Sequence, residues 1–410
     1  MPLYNKTLHE KLTTKPWSVD RVQKTIFKIT QSSLDAFDGQ NFWPVHPDLT
    51  ESYKLKSPIG CLWFGAAGTI AALNQLQAFI PELSHYDVLP YLSKLWPLQQ
   101  QSLAELNKAM PIEQDIPGYL LGEAGINYLN YKLTGKQCYL DRLKINVREN
   151  ISNPAKEFML GQSGTMLIAC FLYQATQDNE WISLFRRSAN SLFSAWKYDK
   201  ARDIHIWLQT LYGGDSINLG LVHGVGGNIF ALTKGFKWLT QEQQRKLIER
   251  AEKVIKNTAI VDGKYANWLP CYNKMWPGGD TPFLQICHGS PSMVLSFSDL
   301  WKYLDNPTQE LLIKGANLVW QAGPLVKPWG ICHGTAGNGW TFLKMAHLTG
   351  DDRWLMKAKQ FAMHAIEQSN AMVAQYGQLR TDLWCGDLGL ALYLQACLSG
   401  SHELLTLDYF

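Results

Sequence analysis

Two stretches of this chain set a thiol beside an imidazole and follow them at once with glycine: Cys287-His288-Gly289 and Cys332-His333-Gly334. With eight cysteines, 10 histidines and 32 glycines in 410 residues, only about 0.015 such triplets are expected by chance. Two copies therefore point to a repeat that carries chemistry. Cys287, Cys332 and one or both of the adjacent histidines are the donor types zinc favours. A three-donor site leaves a fourth tetrahedral position open for a reactant. The spacing matches no zinc finger, so a catalytic ion is expected over a structural one. Further polar residues stand in comparable settings: His223 heads His223-Gly224-Val-Gly-Gly227, Glu157 stands four residues before Gly161, and Cys385 precedes Gly386. The plain alternative is buried thiols, capping histidines and, for Glu157, an acid serving a helix N-terminus.

The elements that must position these residues are seven short clusters. They begin at Phe64-Gly65, Leu121-Gly122, Leu160-Gly161, His223-Gly224, His288-Gly289, His333-Gly334 and Cys385-Gly386, and in six of the seven a second glycine follows three residues after the first. Their intervals fall in the range of helical-hairpin repeats. After most clusters comes an apolar helix-like run, then a polar break, then a more amphipathic helix. Three breaks share a register, at Thr134, Thr176 and Thr349, each placed to cap the helix that follows. Thr240-Gln-Glu-Gln243 reads as a capping box, and the helix it opens carries Arg245, Lys246, Glu249 and Arg250 on one side. The pattern predicts apolar first helices inside and half-exposed second helices outside. Seven such hairpins make an all-α, double-layered α/α toroid, with the clusters converging on one face near its axis. The glycines then have a packing reason at crowded helix ends. Strand signals are poor throughout, and Tyr198–Gly220 and Val261–Ile286 are expected as rim loops. Residues 1–410 are expected to form one such domain, residues 1–50 being a helical segment that closes or caps the barrel. Ser18 to Phe37 places Val22, Ile26, Ile29 and Leu34 on one helical face.

Composition narrows the functions. At 46% hydrophobic residues the chain can bury a large core, and a net charge of +3 without a basic tail argues against nucleic acid as a partner. No apolar h-region opens the chain, and no uncharged apolar stretch is long enough to span a membrane. A weak peripheral membrane contact stays open. Eight scattered cysteines in a chain of this size read as reduced thiols, which places the expected location in the cytoplasm.

The seven clusters, with Cys-His-Gly, Cys-His-Gly-x-x-Gly-Asn and His-Gly-x-x-Gly most specific among them, resemble the lanthionine synthetase C-like family over nearly the whole chain. The resemblance implies an α/α toroid with one central zinc held by Cys287, Cys332 and His333. It implies an acid/base role for His223 and places the family's acidic residue on Glu157. Glu157 and Lys327, five residues before Cys332, look like the eukaryotic-type branch, in which that lysine is associated with glutathione. Bacterial lantibiotic cyclases carry an arginine where this chain has Phe283. Two positions depart from the pattern: Ser292 replaces a glycine, and Trp384-Cys385 stands where relatives often carry Phe-Glu.

The implied activity is zinc-dependent addition of a thiol, foremost glutathione, to dehydroalanine or dehydrobutyrine in a peptide or protein. Two thiolates and an imidazole make zinc a modest Lewis acid that can hold a substrate thiol as thiolate. The enolate formed by its addition needs a proton, for which His223 is the natural donor. Lys327, with Arg380, would receive the carboxylates of glutathione. The alternatives are an intramolecular lanthionine cyclase and a zinc- and glutathione-binding scaffold without turnover. Toroidal glycosidases need paired carboxylates, which the clusters do not offer.

Overall fold

Each of the seven clusters opens a helix. A computed structural model describes residues 2–80, 87–108, 111–112, 116–272, 282–326 and 329–410. The first glycine of every cluster is the N-cap of Ala66–Gln77, Glu123–Thr134, Gln162–Thr176, Val225–Lys234, Ser290–Phe297, Thr335–Thr349 or Asp387–Ser399. These helices are buried on nearly every face, which makes them the inner ring. None of them has a side-chain cap. In five of them the first N–H groups instead donate to carbonyls seven residues earlier, as in Ala66 to Ile59, Val225 to Asn218 and Ala336 to Trp329, while Asn267 Oδ1 serves Ser290 N and Glu157 serves the turn before Gln162. The chain thus wraps over the start of its own helix and satisfies the donors that a helix N-terminus leaves open. The wrap leaves no room for a side chain at the second glycine. A Cβ on Gly68, Gly125, Gly164, Gly227, Gly337 or Gly389 would lie 1.8–2.3 Å from the carbonyl oxygen six residues before it.

The wrapped turns are tied to one another in a closed ring. Trp63 N donates to Leu120 O, Leu120 N to Met159 O and Phe158 N to Val222 O. Leu221 N donates to Ser292 Oγ, and Cys287 Sγ lies 3.6 Å from Cys332 O. Cys332 N donates to Trp384 O at 2.7 Å, and Trp384 N returns to Trp63 O at 3.0 Å. All seven turns therefore lie side by side at one end of the inner ring.

The outer layer follows. Gln137–Asn150, Asn179–Ala195, Gln241–Thr258, Asn306–Ala322 and Asp352–Tyr376 each pack on the inner helix before them, and Leu95–Leu106 packs on Glu123–Thr134. The seventh outer place is filled from the other end of the chain. Val19–Asp35, capped by Ser18 and burying Val22, Ile26, Ile29 and Leu34, packs on Asp387–Ser399 and Ala66–Gln77. The Thr240–Gln243 capping box is present, and its helix buries Leu247, Ala251 and Val254. The C-terminal residues reach back inside: Asp408 binds both Lys234 and Lys344, and Tyr119 Oη donates to Thr406 O.

Two expectations are corrected. Thr134, Thr176 and Thr349 do not cap the outer helices. Each ends its inner helix and donates its hydroxyl to the carbonyl four residues back. The next residue turns left-handed, and the cap comes later, from Asp178 and Asp351 in two of the three cases. The rim segments are also more regular than poor strand signals suggested. Three antiparallel hairpins pair Lys197–Asp199 with Ile204–Ile206, Gln209–Leu211 with Gly214–Ser216, and Ala259–Asp262 with Tyr265–Trp268. Among the described residues no helix is long and apolar enough to cross a membrane.

Candidate metal centre

The fifth and sixth turns bring a thiol each to one point of the ring. Sγ of Cys287, Sγ of Cys332 and a ring nitrogen of His333 all lie within 4.8 Å of one another. Cys332 Sγ is 3.7 Å from His333 Nε2. Tetrahedral zinc with ordinary Zn–S and Zn–N bonds sets such donors roughly 3.5–3.8 Å apart, so loading needs closure on the order of 1 Å. Two soft thiols and an imidazole suit zinc better than magnesium or calcium. The fit is one of donor chemistry and spacing together.

Local backbone explains the placement. Gln285 and His288 exchange both backbone hydrogen bonds at 3.0 Å, which puts Cys287 in a tight reversal. Gly289 leaves it at φ +82°, where a Cβ would lie 1.9 Å from Phe283 O. This turn differs from its six sisters in that reversal and in Ser292, whose hydroxyl accepts from Leu221 N at 2.6 Å. Gln285 Nε2 donates to Cys287 Sγ at 3.1 Å.

Charge is unevenly shared among the donors. Burial pushes the Cys287 thiol up, yet the hydrogen bond from Cys332 and the positive fields of His333 and His288 bring it well below its usual value. Burial, then hydrogen bonds with Cys287 and Cys385, hold Cys332 well above. Burial lowers His333, but the Cys287 charge outweighs it and raises the imidazole to about 10.

Cys385 belongs to the same neighbourhood. Its Sγ is 4.0 Å from His333 Nδ1, and its hydrogen bond with Cys332 pulls it down to about 6. The sequence left this residue open between packing and chemistry. The signal that could have found it is the ring itself, because a closed ring sets the seventh turn against the sixth.

His223 and Glu157 meet across the third and fourth turns of the ring. Glu157 is fully buried. Oε1 accepts from Leu160 N and Gly161 N at 2.5 and 2.9 Å, and Oε2 accepts from Met159 N and His223 Nδ1, both at 2.9 Å. One carboxylate thus serves a helix start and fixes an imidazole. The carboxylate contact puts the proton on Nδ1 and turns Nε2 away from Glu157. The Tyr212 ring stands edge-on, 5.7 Å away. The turn carrying His223 abuts the one carrying Cys287, since a Cβ on Gly220 would lie 2.0 Å from Cys287 O.

Two further expectations concern cations. Lys327 lies outside the described residues. Arg380 is not presented to a ligand: its guanidinium is held by Asp382 at 2.6 Å and Asp48 at 2.5 Å. Phe283 packs near the His288 ring, and His288 is buried.

Residues 60–405 match the sequence profile described as Lanthionine synthetase C-like protein. The chain belongs to the lanthionine synthetase C-like family. It is 28% identical over 172 residues to the glutathione S-transferase LANCL1 of Danio rerio, covering 40% of this chain and 38% of that protein. Over 97 residues it is 30% identical to the LanC-like protein GCL1 of Arabidopsis thaliana, covering 23% of this chain and 22% of the relative. The matched region thus spans well under half the length of either relative. The fold is that of nisin cyclase, an α/α toroid, with a TM-score of 0.60, 16% identity, and coverage of 92% of this chain and 94% of the other.

Proposed function

We propose that this protein is a zinc-dependent transferase that adds a thiol, foremost glutathione, to dehydroalanine or dehydrobutyrine residues in a peptide or protein. The observation that carries the reading is the convergence of Cys287, Cys332 and His333 from two adjacent turns of a family member's ring. The LANCL1 relative, by name a glutathione S-transferase, supports the choice of thiol. Zinc held by these three donors would supply the Lewis acidity that keeps an incoming thiol ionised near neutral pH.

The chain's own residues do the rest. The β-carbon of the dehydroamino acid takes the C–S bond, and its α-carbon then needs one proton. His223 is the donor: Glu157 fixes the proton on Nδ1, so Nε2 is the edge that gives a proton up. The thiol loses one proton and the α-carbon gains one, so no leaving group or redox partner is required. Lys327 is assigned to a glutathione carboxylate, a role Arg380 cannot share while Asp48 and Asp382 hold it.

The test is direct. Purified protein should carry about one zinc per chain, and Cys332→Ala should lose it; zinc retained in that variant removes the assignment. Incubation with glutathione and a dehydrobutyrine peptide should yield the adduct mass. A zinc-loaded protein that forms none is a scaffold. Phe283, in place of an arginine, favours external glutathione over a peptide's own cysteine as the thiol. Supplying both thiols in one assay compares them.

A further inference from the structure

The imidazole of His333 stands between two thiols, with Nε2 3.7 Å from Cys332 Sγ and Nδ1 4.0 Å from Cys385 Sγ. A histidine that gives one nitrogen to a metal is oriented by whatever accepts the proton on the other. Nε2 lies on the Cys332 side, which directs Nδ1–H toward Cys385. Cys385 is itself anchored. Its N–H donates to Asp382 Oδ1 at 2.6 Å, Asp382 Oδ2 takes Arg380 Nε at 2.6 Å, and Arg380 Nη1 holds Asp48 Oδ2 at 2.5 Å. The residue before it, Trp384, is pinned from both sides by Cys332 N and Trp63 O. Gly330 lets the sixth turn lie directly against it, for a Cβ there would fall 2.4 Å from the Cys385 carbonyl carbon. The thiol of Cys385 is therefore held in fixed register with the ring of His333.

We infer that Cys385 is a positioning residue: its Sγ accepts the Nδ1–H of His333, fixes the tautomer that presents Nε2 to the metal, and is not itself a metal ligand. The N···S distance of 4.0 Å is at the long end for a hydrogen bond to sulfur. The inference rests on the proposed role of His333 at the metal, and it adds an anchored chain from Asp48 through Arg380, Asp382 and Cys385 to that ligand.

The experiment uses the full chain and reads the metal, not turnover. Zinc stoichiometry and affinity, by chelator competition, are compared between the wild type, Cys385→Ala and Cys385→Ser. The alanine variant should still bind one zinc, but about 10–100-fold more weakly, and serine should recover part of the loss. With cobalt in place of zinc, the thiolate charge-transfer band should keep its intensity in Cys385→Ala. In protein labelled with 15N-histidine, the Nδ1–H resonance of His333 should be slow to exchange in the wild type and should shift in Cys385→Ser as the acceptor changes from sulfur to oxygen. Unchanged zinc affinity in Cys385→Ala overturns the proposal. So does a cobalt band reduced by one thiolate, which would make Cys385 a ligand. Should the alanine variant not fold, an Nδ1–H resonance unmoved in Cys385→Ser overturns it. A wild type without zinc removes the proposed function along with it, whereas a wild type with zinc and an indifferent Cys385 removes this inference alone.

Discussion

Replacing Glu157 by glutamine tests the half of the site that carries no metal donor. The carboxylate accepts four hydrogen bonds, two on each oxygen, and is fully buried. A glutamine can keep its oxygen on Leu160 N and Gly161 N. Its amide then faces Met159 N and His223 Nδ1, where two acceptor contacts are lost. Met159 N–H is left facing another donor, and His223 is pushed to the opposite tautomer. Losing a hydrogen bond to a buried charge costs about 1.5–3 kcal/mol. Two such losses, less what the reversed His223 contact returns, give about 3 kcal/mol of stability. Chemical denaturation should show it as a lower midpoint with an unchanged slope. Zinc stoichiometry should remain at the wild-type value, since Cys287, Cys332 and His333 are untouched. Adduct formation should fall by about 10²–10⁴-fold, the range for a positioned acid or base. A folded, zinc-loaded Glu157→Gln protein that forms adduct at the wild-type rate would refute the argument that this carboxylate prepares His223.

Other outcomes follow from the same geometry. Gly337→Ala should lose more than about 3 kcal/mol, because its Cβ would sit 1.8 Å from Ile331 O. Gly135→Ala, at φ +64° with nothing within 4 Å, should lose only about 1 kcal/mol. Thermal unfolding of the two variants checks the contrast. Asp408 is pushed up by burial but held far below the usual carboxylate range by Lys344 and Lys234. Its contribution is thus full above the unfolded value, near 3.9, and fades as pH falls toward the folded one. Asp408→Asn should cost about 3–5 kcal/mol at pH 7, with a smaller gap at pH 3 in denaturant titrations. Asp387 behaves in the opposite sense, as burial raises it to about 7. Its charge penalises the fold increasingly between the ordinary value and about pH 7, so Asp387→Asn should gain stability relative to the wild type from pH 4 to pH 8.

The repeat was legible because it obeys local rules. A turn that wraps over its own helix start needs glycine at a fixed offset, and the offset recurs in six of seven copies. The apolar inner helices and the charge-sided outer ones followed from the same pattern. What the sequence could not reveal depends on which turn lies beside which. Glu157 and His223 are 66 residues apart, and only the ring makes them partners. The importance of Cys385 depends on the seventh turn closing against the sixth. Ser292 looked like a defect in the pattern, yet its hydroxyl accepts from Leu221 N of the neighbouring turn and so ties the fourth turn to the fifth. The three threonines misled for a chemical reason. A hydroxyl at a helix end can serve the carbonyl behind it, and each of these donates there while accepting, at 3.3 Å, only from the N–H of the residue that precedes the outer helix.

The bond from Trp384 N to Trp63 O joins residues about 320 positions apart. Bringing such distant points together costs roughly 5 kcal/mol of chain entropy, and that cost falls on the assembly once rather than on each hairpin. Linear solenoids tolerate shortening because each unit leans only on its neighbours and a cap covers each end. A circle has no ends to cap. During synthesis, the six earlier inner helices would still expose two raw faces until Asp387–Ser399 emerged, with Val19–Asp35 waiting at the N-terminal end for its partner. The cysteines of turns five and six would leave the ribosome before that closure, so nascent chains would present Cys287 and Cys332, buried in the finished ring, in an unfinished pocket. Deleting the last inner helix, Asp387–Ser399, should therefore abolish the folded state outright rather than remove a seventh of it, and proteolysis of staged nascent chains would show protection arriving in a single late step.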